Sequence, residues 1–257
     1  MKPHLQKQLF FFAAVVFAAL LADSCRKKAN PTPSNAKFTG CRVAQIIENG
    51  TATNGTTYSF TYNNDGRVST IKFQGGGDSF VKTITYKTNC IIVITKDNGS
   101  VSAKDSLLLD AQKRVILIDH YNYNGSPPPN LMYDQYNYDT SGNLVTIVSH
   151  YYSTVSSQNF QWANGDIEWN TGGTDFYTYV YDTSLYNIGN ISARFSDLEN
   201  YGIGIYTPRH LCSMAIMDNS DTTNYTYTRD ADGKITSSKR IFPGNYINTT
   251  AITYNCE

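Results

Sequence analysis

The chain has 257 residues, with 21 Lys and Arg against 21 Asp and Glu, so it has no net field to draw in nucleic acid. Only 16% of its residues are charged, while Tyr (20) and Phe (12) are abundant, which favours pleated, half-buried strands.

The first element is a targeting signal. Lys2 and Lys7 precede an unbroken apolar run from Leu9 to Ala22. A bilayer-spanning helix needs about 20 apolar residues, and a secretory core about 7–15. Asp23, Ser24 and Cys25 follow. A small residue directly before cysteine resembles a lipobox, and Ala22 and Ser24 fit that pattern, although Asp23 is unusual within it. Residues 1–24 are therefore expected to be a cleaved lipoprotein signal, with Cys25 the lipidation site. Residues 25–40 contain Arg26, Lys27 and Lys28, then Pro31 and Pro33, with no apolar periodicity. They read as a flexible tether whose basic start suits an anionic lipid surface. The expected location is the outer membrane, lipid-anchored, with the periplasmic or cell-surface face left open. Without residues 1–24, which hold Lys2, Lys7 and Asp23, the balance becomes 19 basic against 20 acidic residues.

From residue 41 to 257 the chain reads as a single all-β domain written as repeated hairpins. Tyr58–Tyr62 leads through Asp65-Gly66 to Val68 and Ile71. A degenerate copy runs from Leu107 to Ile116. Tyr136 and Tyr138 lead to Leu144 and Ile147, and Phe160 and Trp162 lead through Asn164-Gly165 to Ile167. Tyr225 and Tyr227 lead through Asp232-Gly233 to Ile235. Asn164-Gly165 suits a two-residue type I′ turn. That register pairs Trp162 with Ile167 and Phe160 with Trp169. It places all four on one face and leaves Gln161, Ala163, Asp166 and Glu168 on the other. A similar turn at Asp65-Gly66 sets Tyr58, Phe60 and Tyr62 on one face with Ser69, Ile71 and Phe73. Asn187–Ser213 breaks the rhythm and reads as an insertion, with a short helix over Ser192–Glu199. About fourteen to sixteen strands are expected. A meander that long should curl into a barrel-like sheet.

Besides Cys25 there are four cysteines: Cys41, Cys90, Cys212 and Cys256. In an oxidising compartment they are disulfide candidates with three possible pairings. Cys41 opens the first expected strand and Cys256 ends the last, so a Cys41–Cys256 bond would staple a closed sheet.

The recurring Tyr-x-Tyr-[Asn/Asp]-x-x-Gly-[Arg/Asn/Lys]-aliphatic hairpin resembles the YD repeats of Rhs-type surface proteins. Over residues 41–256 the chain also resembles a Bacteroidota lipoprotein family with a porin-like fold and a domain of unknown function. That resemblance implies a many-stranded antiparallel, porin-like sheet and no activity. The strands alternate apolar with Thr, Ser or Lys. With a lipid anchor present, we expect the barrel not to cross the bilayer.

Chemistry is sparse. His120, His150 and His210 lack metal spacing, and no nucleophile elbow or phosphate loop occurs, so no catalytic residue, metal or cofactor is implied. Asp166 and Glu168, at i and i+2, are the most tempting carboxylate pair, ~7 Å apart and close to glycosidase separations, but the expected register sets them opposite the tryptophans. The tyrosines suit recognition of glycan, peptide or protein, with Tyr136 and Tyr138 as candidate binding residues. The leading expectation is a non-enzymatic lipoprotein with such a partner. The alternatives are a carrier of a small apolar ligand and, last, a glycan-active hydrolase.

Overall fold

The computed structural model describes residues 41–49, 55–123, 132–186, 208, 210–218, 220–232 and 234–256. They form β1 (Cys41–Asn49), β2 (Thr56–Tyr62), β3 (Val68–Gly75), β4 (Asp78–Tyr86), β5 (Cys90–Asp97), β6 (Ser100–Leu109), β7 (Val115–Asn122) and β8 (Met132–Tyr138). The second half comprises β9 (Leu144–Tyr151), β10 (Thr154–Ala163), β11 (Asp166–Gly172), β12 (Asp175–Tyr186), β13 (His210–Met217), β14 (Asp221–Arg229), β15 (Ile235–Ile241) and β16 (Ile247–Cys256). Each strand pairs antiparallel with its sequence neighbours, and β16 pairs with β1, closing a sixteen-stranded barrel. Cys41 faces Cys256 across that closure, and the two form a disulfide.

The hairpin motif has a physical reading at each position. In the β2–β3 turn, the Asn63 side-chain oxygen accepts the Arg67 N–H at 2.9 Å, and Gly66 takes φ 85°. In the β6–β7 turn, Asp110 accepts the Arg114 N–H at 2.8 Å. In the β8–β9 turn, Asp139 accepts the Asn143 N–H at 2.8 Å, with Gly142 at φ 87°. In the β14–β15 turn, Asp230 accepts the Lys234 N–H at 2.9 Å. The Asx residue thus caps the turn; Gly66 and Gly142 supply the left-handed residue at no steric cost, and in the β6–β7 turn Lys113 takes that place at φ 65°. The aromatic before the turn locks the preceding strand. Tyr62, Tyr138 and Tyr254 donate their hydroxyls to the carbonyls of Val43, Val115 and Ile235 at 2.7–2.8 Å. Trp162 Nε1 does the same to Leu144 at 2.7 Å, and the Tyr227 hydroxyl to Cys212 at 2.8 Å.

Two expected registers are corrected. Asn164 and Gly165 do make a two-residue turn, at φ 55° and 87°, with Trp162 opposite Ile167. A bulge follows at once, so Trp169 faces Gln161, and Phe160 faces Asn170. The turn at Asp65-Gly66 is longer than two residues: Asn63 N–H donates to the Arg67 carbonyl. Its bulge pairs Tyr62 with Val68 instead of Ser69. The extra residue in both cases comes from a bulge beside the turn, which residue alternation cannot reveal. The expected insertion also ends sooner, because His210–Ser213 belong to β13. The helix expected over 192–199 lies outside the described residues.

Side-by-side partners share a face, so the register assigns every strand an inner and an outer face. The inner face carries the core: Ile46, Ile71, Val93, Leu107 and Ile118 have no exposure. Round barrels of this strand number leave an aqueous channel. Water does not reach these residues, so their side chains plug the barrel. The outer face is mixed: Thr70, Lys72, Thr83, Thr85, Thr226, Thr228 and Lys239 share it with Ile47, Val81, Ile92, Ile94, Val148, Val155 and Ile216.

Candidate functional site

Antiparallel topology gives the barrel two ends. The β2–β3, β6–β7, β8–β9, β10–β11 and β14–β15 turns lie at one, the base, together with Cys41 and Cys256. The β3–β4, β5–β6, β9–β10 and β15–β16 turns lie at the far end.

The inner face changes character between them. Toward the base it carries Val43, Val68, Val115, Leu144 and Ile235, all nearly fully buried, with the locking aromatics. Burial pushes the hydroxyls of Tyr62, Tyr86 and Tyr254 up to about 12. Toward the far end the same face carries Glu48, Lys82, Asp105, His120, Asp134 and Arg240.

Two charged groups occupy opposite arcs of this ring. On β6, β7 and β8, His120 bridges two carboxylates: Nδ1 lies 2.8 Å from Asp105, and Nε2 lies 3.2 Å from Asp134. Burial favours the neutral imidazole, but the two carboxylate bonds outweigh it and raise the His120 pKa to about 9. The Asp134 carboxyl is likewise raised by burial, but bonds from His120 and Ser149 hold it below its ordinary range. On β15 and β1, Arg240 donates to Glu48 at 2.8 Å. All five side chains keep 15–25% exposure, so solvent reaches both groups. Three aromatic rings lie between the arcs, on the inner face of β2, β3 and β4. Tyr58 packs against Phe73 at 5.2 Å, and Phe73 stacks on Phe80 at 4.5 Å.

The residues singled out from sequence fall elsewhere. Tyr136 is 9% exposed within the core, and the Tyr138 hydroxyl is spent on Val115, with Arg114 lying 4.5 Å over its ring. An exposed recognition face therefore cannot be built on this pair. Among the described residues the exposed tyrosines are Tyr123, Tyr151, Tyr152 and Tyr246, all at the far end. Tyr151 and Tyr152 meet edge to face at 4.6 Å, and Tyr152 has φ 54°, which a bulky residue seldom adopts.

Asp166 is not on a solvated acidic face. It is 7% exposed and accepts both the His210 N–H at 2.7 Å and, through its other oxygen, His210 Nδ1 at 2.6 Å. Glu168 is exposed. With both Asp166 oxygens committed to His210, the two acids do not converge on a shared substrate position. His150 stacks on Tyr133 at 4.2 Å on the outer face.

Cys212 is a buried free thiol, its pKa pushed up to about 12 by burial, so it does not pair with Cys90. Cys90 is nearly fully buried on β5. Cys25 and the rest of residues 25–40 lie outside the described residues. Among the described residues no group of three His, Cys, Asp or Glu side chains is placed to hold a metal.

Sequence reading missed the His120 and Arg240 groups. The available signal was one of register: Asp105 and His120, and likewise Glu48 and Thr250, stand directly opposite on paired strands.

The sequence matches no family model and no curated protein. Among solved structures, the chain is similar to a porin-like protein from Bacteroides uniformis, with a TM-score of 0.66 and 18% identity, over 88% of this chain and 100% of that one. A porin-like protein from Bacteroides vulgatus matches at a TM-score of 0.42 and 13% identity, over 85% of this chain and 99% of that one. The first likeness concerns the fold: a closed, all-β antiparallel barrel of porin-like type.

Proposed function

We propose that the protein is a non-enzymatic binding lipoprotein, held on the outer membrane by a lipid on Cys25 and a tether over residues 25–40. Its barrel stands on the bilayer with the base toward the lipid. One observation carries this reading. The chain enters the barrel through Cys41 at the base, whereas the part-exposed inner charges, Asp105, His120, Asp134, Glu48 and Arg240, all lie toward the opposite end. An anchored barrel in that pose offers its polar interior to a partner. Lys72, Lys239 and the threonines of the outer face suit water around the wall. A carrier of an apolar ligand is disfavoured because the apolar half of the interior is filled by its own side chains. A hydrolase acting through Asp166 and Glu168 is disfavoured by the His210 bonds to Asp166.

Two measurements test this. Intact mass of the mature protein should show an acylated N-terminal Cys25, and Cys25→Ala should move the protein out of the membrane fraction. A peptide map with Cys25 in a disulfide overturns the anchor. A binding screen against glycans, peptides and cell envelopes should give a partner that is lost with His120→Ala or Arg240→Ala. A blank across all three classes overturns the recognition role.

A further inference from the structure

One stretch of the inner face combines unpartnered polar atoms with a continuous aromatic surface. Arg240 on β15 stands opposite Asn248 on β16, and Thr250 on β16 stands opposite Glu48 on β1. Arg240 gives a terminal nitrogen to Glu48, yet its Nε finds no hydrogen-bond partner among the described residues. Asn248 Oδ1 and Thr250 Oγ1 are in the same position, and Thr250 is only 1% exposed. Buried polar atoms are almost always paired, so three orphans on two neighbouring strands point to a missing partner. The requirement is mixed. Arg240 Nε needs an acceptor, Asn248 Oδ1 needs a donor, and the Thr250 hydroxyl accepts either. An anionic group fails Asn248 and faces Glu48; a cationic group faces Arg240. Hydroxyl groups satisfy all three.

The neighbouring strands supply the rest of a subsite. Tyr58, Phe73 and Phe80 follow on β2, β3 and β4, part-exposed and in ring contact, with Phe73 and Phe80 only 9° from parallel. Such a run offers flat apolar surface to ring faces, while the polar group fixes orientation. We infer that the inner face from β15 to β4 is a subsite for a neutral, hydroxyl-rich ring compound, that is, a neutral glycan chain. Its sugar rings lie along Phe80, Phe73 and Tyr58. Its hydroxyls meet Arg240, Asn248 and Thr250. This rests on the binding role proposed above and names the chemistry of the bound partner.

The test uses the mature lipoprotein in detergent. Hexasaccharides of glucose, mannose and xylose are titrated calorimetrically beside an oligogalacturonate of equal length. At least one neutral hexasaccharide should bind, with Asn248→Leu and Phe73→Leu each weakening it tenfold or more. Thermal unfolding checks that the variants fold, and Tyr151→Ser should bind as the wild type does. Preference for oligogalacturonate overturns the inference, as does neutral binding indifferent to both folded variants. Failure of every sugar also overturns it, in which case the orphan atoms are met by water alone. A peptide or envelope partner found in the wider screen would then leave the recognition role standing. Membrane partition of the same preparation reports on the anchor independently.

Discussion

The His120 bridge makes stability depend on pH in a calculable way. The imidazole has an ordinary value of about 6.5 in an unfolded chain. In the barrel the Asp105 and Asp134 bonds raise it to about 9. A group whose pKa is higher when folded stabilises the fold fully below its unfolded pKa and loses that contribution as pH rises through the folded one. At about 1.4 kcal/mol per pH decade, the contribution is about 3 kcal/mol below pH 6, and about 2 kcal/mol of it disappears between pH 7 and 9.5. The side chain is 23% exposed, so solvent screening leaves most of this intact. Stopping at pH 9.5 keeps the buried tyrosines, raised to about 12, out of the titration. Urea unfolding of the wild type and His120→Gln across this window isolates the bridge. With a slope of about 2 kcal/mol per molar, the wild-type midpoint should fall by about 1 M more than that of the variant. Parallel midpoints would falsify a protonated bridge and mean that His120 is neutral when folded.

Three further outcomes follow from named contacts. Cys41→Ser with Cys256→Ser opens a loop of 215 residues, worth about 5 kcal/mol in the chain-entropy treatment, so denaturant midpoints should drop sharply while the far-UV spectrum stays β. Tyr138→Phe keeps the ring under Arg114 but removes the bond to Val115, and should cost about 1 kcal/mol in chemical unfolding; no loss would show that the hydroxyl locks are ornamental. Tyr152→Asn relieves a left-handed tyrosine and should stabilise the barrel by about 1 kcal/mol, with a rise in Tm as the readout.

The strands were readable because the turn residues carry their own physics. Asp or Asn caps, glycine takes positive φ, and the aliphatic after the turn points inward. The motif therefore specifies each hairpin without reference to the rest of the barrel. What it cannot specify is the bulge beside each turn. One extra residue moved Trp169 to the face of Gln161, and alternation contains no trace of that step. The polar half of the interior was illegible for a related reason. Glu48 and Arg240 are 192 residues apart, and their meeting depends on closure of the ring. Asp119 flanks His120 in sequence but lies on the other face. The acids that bind His120 come from the neighbouring strands, so a search for local spacing looked at the wrong acid. Tyr136 and Tyr138 illustrate the converse error: tyrosine-rich strands suggested a surface, but the rings that repeat with the turn are the ones that point inward.

Fifteen of the sixteen strand pairings join neighbours in the chain; only β1 with β16 joins its two extremes. Every hairpin can therefore form as soon as its two strands are available, and contact order stays low until the final strand arrives. Until then the growing sheet carries two unsatisfied edges, each able to pair with another copy. Zipping that single non-local seam removes both edges in one step. The Cys41–Cys256 bond then works as a latch, converting a reversible closure into a topological ring that cannot trade its first or last strand with a neighbour.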